Sequence, residues 1–336
     1  MDLLNAFIAL ANYVVVPAIA YGSQLALGAL GVTLIYSILR FSNFAHGDTM
    51  AFGAMVTILV TWWFQSMGIH LWVLPTALLA LPFGILGCMA LVLLTDRAVY
   101  RFYREQRAKP VILVIVSMGV MFIMNGITRF VIGVDEIRFE DGERFVISAG
   151  GFRDATGLAE GLAFRTTQAL TIVTAIVVVA ALFWFLNRTR TGKSMRAFSD
   201  NEDLALLSGI NPERVVTVTW IIAAGLATIA GTLYGLDKAF KAFNYFQLLL
   251  PIFASAIVGG LGSPLGAIAG GFLVAFSEVG FTYAWKKVAT YVLPESLAPD
   301  SLVQLLSTDY KFAVSFAILI IVLLFKPTGL FKGKSV

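Results

Sequence analysis

The sequence predicts an all-α, polytopic transmembrane helical bundle of about nine spans, within a range of eight to ten. Of the 336 residues, 59% are hydrophobic and only 13% are charged, which is about half the charged share of a soluble domain. The mean hydropathy is +0.86. Windows free of Asp, Glu, Lys and Arg cover residues 3–39, 49–95, 110–128, 166–187, 215–236 and 242–277. Each window is long enough for one or two helices that satisfy their own backbone hydrogen bonds in lipid.

Nine spans fit these windows, because one crossing needs about 20 apolar residues. We place them at residues 18–39, 47–65, 73–95, 111–133, 167–187, 215–236, 248–263, 265–284 and 311–326. The segment 248–263 is short, and either a tilted helix or a re-entrant segment fits it. Residues 3–16 form either an interfacial helix or a further span. The whole chain, 1–336, is therefore predicted to be one transmembrane domain.

Lysine and arginine in the loops predict the orientation. Five basic residues lie in each of the loops 96–109 and 188–214, and three lysines lie in the tail after residue 325. The segment 134–165 instead has seven acidic residues and four arginines, and 285–310 has only two lysines. We therefore predict that the first three segments are cytoplasmic and the last two periplasmic, as the alternation of nine spans requires. Basic residues at the ends of spans account for the net charge of +4, so no nucleic-acid partner is expected.

The residues that usually hold metals are scarce. The single cysteine, Cys88, lies inside an apolar window, and the two histidines are His46 and His70. A thiolate or histidine metal site needs more ligands than these. We expect no metal, no cofactor and no catalytic residue in this chain.

A polar island at residues 39–48 joins the first two spans at the predicted cytoplasmic end. It places Asn43, His46 and Asp48 within six residues beside a membrane. Asn43 and Asp48 can cap the N-terminus of a helix, and Gly47 permits close packing. The alternative is that the charged ends of the island only anchor the two spans at the interface. Asn43, His46 and Asp48 are therefore candidates for a translocation pathway or for helix packing.

The loop 188–214 contains a predicted short helix at residues 200–210. Asp200 fits an N-cap, with Asp203 three residues later, and Gly209 fits a C-terminal stop. Apolar residues at helical spacing form a stripe along it, namely Leu204, Leu207 and Ile210. The helix either lies on the membrane surface or inserts its apolar face into a groove of a partner.

A glycine-rich run at residues 258–271 lies between two predicted spans. Gly262, Gly266 and Gly270 recur every four residues, a pattern that lets helices pack closely, and Pro264 breaks the helix. Tight packing is the simpler interpretation, and a broken helix that lines a pathway is compatible with it. The candidates here for the pathway or for packing are Gly259, Gly260, Gly262 and Gly266.

Two polar residues within predicted spans, Asn125 and Glu278, are further candidates for the pathway or for packing. Ionisable groups inside a membrane are expensive and are often functional. Glu278 lies near the predicted outer end of its span, where exposure at the interface would also explain it.

Four segments together resemble the LivH-type permeases of branched-chain amino acid ABC importers. The resemblance extends from residue 39 to residue 331, and the order and spacing of the segments make it specific. The segments are Asn43-Phe44-Ala45-His46-Gly47-Asp48, Arg196-Ala197 with Ala205 and Gly209-Ile210, Gly259-Gly260-Leu261-Gly262-Ser263-Pro264-Leu265-Gly266-Ala267, and Phe325-Lys326-Pro327-Thr328-Gly329-Leu330-Phe331.

The resemblance implies a permease subunit of the bacterial inner membrane that is not itself an enzyme. Such a subunit pairs with a second, related permease and receives substrate from a periplasmic binding protein. It docks on two cytoplasmic ATPase subunits, which bind ATP and Mg²⁺. The substrates would be branched-chain amino acids, or related amino acids and amides.

The resemblance also implies that the loop helix is the coupling helix that contacts an ATPase. One departure from the family pattern is that Asp203 and Leu204 separate Glu202 from Ala205. The residues assigned to the contact are Arg196, Glu202, Leu204, Ala205, Leu207, Gly209 and Ile210.

Two other classes are alternatives to a permease of this type. An ion-coupled secondary transporter would need acidic residues near the middle of the bilayer, and the long window 49–95 has none. An intramembrane enzyme would need paired acids or a histidine facing an acid, and only His46 with Asp48 approaches that pattern.

Overall fold

The computed structural model describes residues 2–292, 301 and 303–331. In these residues the chain is an all-α bundle with one small hairpin, formed by the antiparallel strands β1 (Phe145–Ile147) and β2 (Phe164–Arg165). The long helices, with α1 leading into α2, are α1 (Asp2–Leu10), α2 (Val16–Leu39), α3 (His46–Ser66), α4 (Ala77–Thr95), α6 (Pro110–Ile132), α8 (Thr166–Arg188), α11 (Pro212–Lys238), α12 (Ala242–Gly259), α13 (Pro264–Thr282) and α15 (Lys311–Phe325). The shorter helices are α5 (Arg101–Glu105), α7 (Ala149–Thr156), α9 (Arg190–Asp200), α10 (Glu202–Leu207) and α14 (Lys286–Val292).

Each predicted span corresponds to a long helix. Eight helical segments of the described chain are long and apolar enough to cross a membrane. α3 is a further long helix of 21 residues, and it packs inside the bundle against α4, α6, α11 and α12. The predicted all-α bundle of about nine spans is confirmed.

The first span is longer than predicted. α1, a π-helical segment (Ala11–Val15) and α2 form one continuous helix of 38 residues, Asp2–Leu39. At 1.5 Å per residue this helix is about 57 Å long, almost twice the hydrocarbon thickness of a bilayer. Residues 3–16 therefore lengthen the first span and form neither a separate interfacial helix nor an additional crossing.

The span predicted at 248–263 is shifted towards the N-terminus. α12 has 18 residues and ends at Gly259. The helix stops there because Gly260 and Gly262 have φ angles of +109° and +84°, which lie outside the helical region and suit glycine. The observed α12 is a continuous helix, so the re-entrant alternative is not needed.

The connecting segments gather at two ends of the bundle. One end, which we call the basic end, holds residues 40–45, 96–109, 189–211, 260–263 and 326–331. The opposite end holds the start of α1 and residues 67–76, 133–165, 239–241 and the described part of 283–307. This grouping agrees with the predicted alternation of loops. The part of the predicted segment 285–310 at 293–300 and 302, and the tail lysines after residue 331, lie outside the described residues.

The centre of the bundle consists of α2, α3, α11, α12 and α13. Small residues let these helices approach closely: a Cβ atom on Gly271 of α13 would lie 2.8 Å from the backbone nitrogen of Ala26 of α2. The peripheral helices α6, α8 and α15 expose large apolar side chains, such as Phe130, Ile176 and Leu324. Such an outer surface suits contact with lipid.

Candidate functional site

The polar island is buried at the basic end, between α2 and α3. Asn43 accepts two hydrogen bonds through Oδ1, from the backbone nitrogen of Ala45 at 3.1 Å and from the hydroxyl of Tyr100 at 3.2 Å. The residue before α3, Ala45, has no side-chain cap. The prediction that Asn43 and Asp48 cap α3 is therefore wrong: Asn43 shapes the turn before the helix, and Asp48 bonds elsewhere.

His46 and Asp48 point to different neighbours. A Cβ atom on Gly31 of α2 would lie 2.6 Å from Cε1 of His46, so this glycine makes room for the ring. Asp48 Oδ1 accepts a hydrogen bond from Asn125 Nδ2 of α6 at 2.6 Å. Residues two positions apart lie on different faces of a helix, and a histidine–acid pair is not formed here. The structure thus brings together Asp48 and Asn125, whereas His46 faces α2.

A second polar cluster at the basic end had not been predicted. Asp96 accepts a hydrogen bond from Trp220 Nε1 at 2.7 Å and forms an ion pair with Arg104. Tyr100 stacks on Trp220, with ring centroids 5.2 Å apart. These contacts join α11 to the continuation of α4, since the predicted loop 96–109 is helical as far as Glu105.

The sequence contains only a weak pattern that would predict the cluster of Asp96, Arg104 and Trp220. Asp96 ends a charge-free window, and Arg104 follows it after eight residues, or about two helical turns. Trp220 is 124 residues away along the chain, and no local pattern relates it to Asp96.

The predicted loop helix is part of a helix pair, α9 and α10. Asn201 is the N-cap of α10 and accepts a hydrogen bond from Leu204 N at 3.0 Å. Asp200, predicted as the cap, is instead the last residue of α9. Gly209 does stop the helix, with a φ angle of +79°, and Ile210 N donates to Ala205 O at 3.1 Å. That pattern is typical of a glycine C-terminal motif.

The outer surface of α10 is apolar and exposed. Leu204 and Leu207 are 61% and 85% exposed. Ala205 is buried, and Ile210 is half-buried against the core, so the stripe that reaches solvent is shorter than predicted. Among the other candidates, Glu202, Arg196 and Gly209 are exposed.

Helix α9 anchors this pair to the bundle. Met195 and Phe198 are buried, and Gly192 allows close approach, since a Cβ atom there would lie 2.3 Å from Phe185 O. Arg196 Nη1 donates to Asn187 Oδ1 at 2.9 Å. The exposed leucines of α10 are therefore carried by a helix pair that packs firmly against the bundle through α9.

The glycine-rich run is mainly a packing device. A Cβ atom on Gly259 would lie 2.0 Å from Gly266 O, and one on Gly270 would lie 2.1 Å from Ser255 O. Gly262 does not belong to this face, contrary to the prediction, because nothing lies within 4 Å of its Cβ position. Gly262 instead forms the left-handed turn before α13. Ser263 is the N-cap of α13, because its Oγ accepts a hydrogen bond from Gly266 N at 3.2 Å.

The C-terminal segment returns to the end of α12. Leu330 N donates to Val258 O at 2.9 Å, and Phe331 N donates to Gly259 O at 3.0 Å. These bonds satisfy carbonyl groups that a helix end would otherwise leave unpaired. A Cβ atom on Gly329 would lie 2.4 Å from Gly260 Cα, so both glycines are needed for this approach.

Glu278 is buried, which overturns its explanation by interfacial exposure. Its side chain is in α13, and the residue is 2% exposed. The hydroxyl of Ser315 in α15 bonds to its Oε1. Tyr21 of α2 also lies beside the carboxylate. No local pattern in the sequence predicts these neighbours, because they come from distant parts of the chain.

The opposite end is held by partly buried contacts of charged side chains. Asp141 accepts hydrogen bonds from Thr76 N at 2.7 Å and from Gln65 Nε2 at 2.9 Å. Burial alone would raise the pKa of Asp141, but these hydrogen bonds outweigh burial and lower it. Lys287 bonds to Glu160 at 2.8 Å. Burial alone would lower the pKa of Lys287, but the bond to Glu160, the charge of Glu160 and the neighbouring Tyr13 together outweigh burial and raise it.

Nearly the whole chain matches a family of known proteins. The family model described as branched-chain amino acid transport system / permease component matches residues 14–323. The chain belongs to this family. Because its family consists of transport permeases, the chain is an ABC transporter permease, and this interpretation is supported over the ion-coupled secondary transporter and the intramembrane enzyme. The protein is therefore a multi-pass membrane protein of the ABC transporter type.

Individual relatives are similar over almost their whole length. LivH of Escherichia coli (strain K12), a high-affinity branched-chain amino acid transport system permease protein, is 29% identical over 322 residues, covering 93% of this chain and 92% of its own. BraD of Pseudomonas aeruginosa is 27% identical and covers 94% of each chain. Among solved structures, PsaBC from Streptococcus pneumoniae in complex with Fab covers 97% of this chain and 92% of its own at 12% identity, with a TM-score of 0.43. That likeness is too distant to inform the site.

In the described part of the permease, no group of three or more His, Cys, Asp or Glu side chains is placed to hold a metal ion.

Proposed function

We propose that this permease is the membrane-spanning subunit of an importer for branched-chain amino acids, or for related amino acids and amides, in the bacterial inner membrane. The observation that carries the proposal is the family match over residues 14–323. The relatives LivH and BraD are described as branched-chain amino acid permeases, which supports this substrate class. The chain would guide the substrate, and ATP hydrolysis on partner subunits would drive the movement.

The proposed partners are a second related permease, two cytoplasmic ATPase subunits and a periplasmic binding protein. Leu204 and Leu207 support the ATPase contact, because two largely exposed leucines on a short, anchored helix suit insertion into a groove. ATP and Mg²⁺ would bind to the ATPases. Rigid-body movement of the ATPases would then reach the bundle through α9 and α10.

The proposed orientation puts the basic end in the cytoplasm. It can be tested with single cysteines at Ser148 and Lys193, which are both exposed and lie at opposite ends, in a Cys88→Ser background. An impermeant thiol reagent should label the cysteine at 148 in intact cells and the one at 193 only after the membrane is opened. The reverse pattern would show that the orientation is wrong.

The importer itself is tested by purification and transport. A tagged chain should copurify with two ATPase subunits and a second permease. The complex in proteoliposomes, supplied with its binding protein and internal ATP, should accumulate labelled leucine. A chain that purifies alone and takes up leucine without ATP would contradict the proposal.

A further inference from the structure

A small cavity with charged groups in a mostly apolar wall lies inside the permease, near the opposite end of the bundle. Its volume is about 160 Å³, and its walls come from α2, α11, α13 and residues 308–311. Two residues of the wall are almost fully buried: Glu278 is 2% exposed and Tyr21 is 7% exposed. The cavity has room for more than one water-sized group.

Two polar atoms in this cavity lack partners. Glu278 uses Oε1 to bond Ser315, whereas its Oε2 has no hydrogen-bond partner among the described residues. The hydroxyl of Tyr21 lies close to this carboxylate but makes no hydrogen bond of ordinary length. Buried polar atoms normally have a partner, because leaving them unpaired costs free energy. The free oxygen of Glu278 can accept a hydrogen bond, and a carboxylate bonds most strongly to a charged donor such as an ammonium group.

Two lysines line the same cavity. Lys311 is half-buried and, although both residues are described, makes no direct ion pair with Glu278. Among the residues that the structure describes, Lys238 forms an ion pair with the adjacent Asp237, at 3.3 Å. Among the described residues, the cavity therefore presents an acidic group and two basic groups that form no direct ion pair with it. Apolar surface completes the wall, from Pro17 and Val279.

Lys238 also lines a second, larger cavity. This cavity of about 300 Å³ lies at the opposite end, and Arg138, Arg144 and Arg165 line it together with Lys238, against the two acids Glu140 and Asp237. The lining is therefore net positive, and a cleft with an excess of one charge raises the local concentration of ions of the other sign. An anionic group would be attracted to this larger cavity, where it would contact Lys238, which also lines the smaller cavity beside Glu278.

We propose that the Glu278 cavity binds the zwitterionic head of an α-amino acid. Glu278 and Tyr21 hold its ammonium group, and Lys311 and Lys238 hold its carboxylate. The inference rests on the proposed function, because it assigns a site to the substrate class of the importer. It goes further by requiring both charges of the substrate to be recognised within this chain.

The test is equilibrium binding of labelled leucine to the purified transport complex without binding protein. Glu278→Gln should weaken leucine binding about tenfold or more, since a hydrogen bond to a charged group has about that effect. The same variant should leave binding of 2-hydroxy-4-methylpentanoate, which lacks the ammonium group, unchanged. Lys311→Met should weaken leucine binding but not that of leucinamide, which lacks the carboxylate.

Two further variants guard against a general folding defect. Tyr21→Phe keeps the ring and removes only the hydroxyl, so it should weaken leucine binding several-fold with the complex intact. Ser255→Ala is the matched control, since Ser255 is buried in α12 and bonds only to Pro251 O, at 2.6 Å; it should bind leucine normally.

The outcomes separate this inference from the proposed function. Wild-type complex that transports leucine, combined with Glu278→Gln and Tyr21→Phe variants that bind it normally, would overturn the site alone. Equal weakening of leucine and the hydroxy acid by Glu278→Gln would also overturn it, because the carboxylate would then act only on the fold. Failure of the wild-type complex to transport any branched-chain amino acid would instead contradict the proposed function.

Discussion

Arg40 is joined to Ser199 by a hydrogen bond from its guanidinium Nη2 to the backbone carbonyl oxygen, at 2.6 Å. Arg40 is the C-cap of α2 and has a left-handed φ angle of +56°, and Ser199 lies in the last turn of α9. The bond therefore connects the end of the first span with the helix pair that carries the exposed leucines. Because Asn43 follows Arg40 in the polar island, we expect a displacement of α9 to be transmitted to the start of α3.

Replacing Arg40 should uncouple ATP hydrolysis from transport. Arg40→Gly suits the left-handed backbone but removes the bond to Ser199, so the fold should stay intact. We expect more ATP hydrolysed per leucine transported, because losing a bond to a charged group should weaken the contact between α2 and α9 about tenfold. Measuring both rates in proteoliposomes gives the ratio. Arg40→Lys keeps the charge, so its ratio of ATP hydrolysed to leucine transported should lie between those of the wild type and Arg40→Gly. An unchanged ratio in Arg40→Gly would show that this bond does not transmit the movement.

The exposed leucines of α10 should be essential for holding the ATPase. Leu207→Asp places a charge at the most exposed apolar position of the helix, 85% exposed, and should weaken ATPase binding about tenfold or more, as for central contacts in other interfaces. Copurification of the ATPase with the tagged permease measures this. Gln106→Asp adds the same charge to an exposed position elsewhere on the basic end and should copurify normally. Retention of the ATPase by Leu207→Asp would mean that α10 does not dock.

The sequence predicted the spans well because their signal is local. A stretch such as 166–187 has no charged residue, and the membrane demands that it be helical. The ends of helices were predicted less well where a glycine determines them. Gly260 ends α12 four residues before the predicted end of that span at residue 263. The N-cap of α10 depended on where α9 ends, so the adjacent residues Asp200 and Asn201 could not be distinguished by local pattern.

The surroundings of the candidate residues could not be predicted, because they depend on packing between distant helices. The position of Glu278 within a predicted span makes it a candidate. Its burial, however, depends on contacts with Ser315 and Tyr21, which lie on two other helices. In the same way, the partner of Asp48 is Asn125, 77 residues away. The sequence marks Asp48 and Asn125 as separate candidates, and only the fold shows that they are hydrogen-bonded to each other.

The contact between α12 and α13 should tolerate no added methyl group. In Gly259→Ala, the new Cβ would lie 2.0 Å from Gly266 O, so the helices must separate, at a cost of about 1–3 kcal/mol or more for overpacking. The melting temperature of the purified permease in detergent should fall. Gly119→Ala in α6 is the control, because nothing lies within 4 Å of that Cβ position. Equal melting temperatures for the two variants would show that the helices are not packed this closely.

Asp141 should stabilise the opposite end in a pH-dependent manner. Its pKa is lowered in the folded protein because the bonds from Thr76 and Gln65 outweigh burial. A carboxyl group with a lowered folded pKa adds stability above its unfolded pKa, and that stability is lost as the pH falls towards the folded pKa. The unfolded value is about 4. Asp141→Asn should therefore lower the melting temperature at pH 7, and the difference from wild type should shrink as the pH is lowered below about 4. Asp154→Asn, at an exposed position in the same segment, should match wild type throughout. A difference for Asp141→Asn that is constant from pH 7 to pH 3 would show that the loss comes from altered packing rather than from the charge.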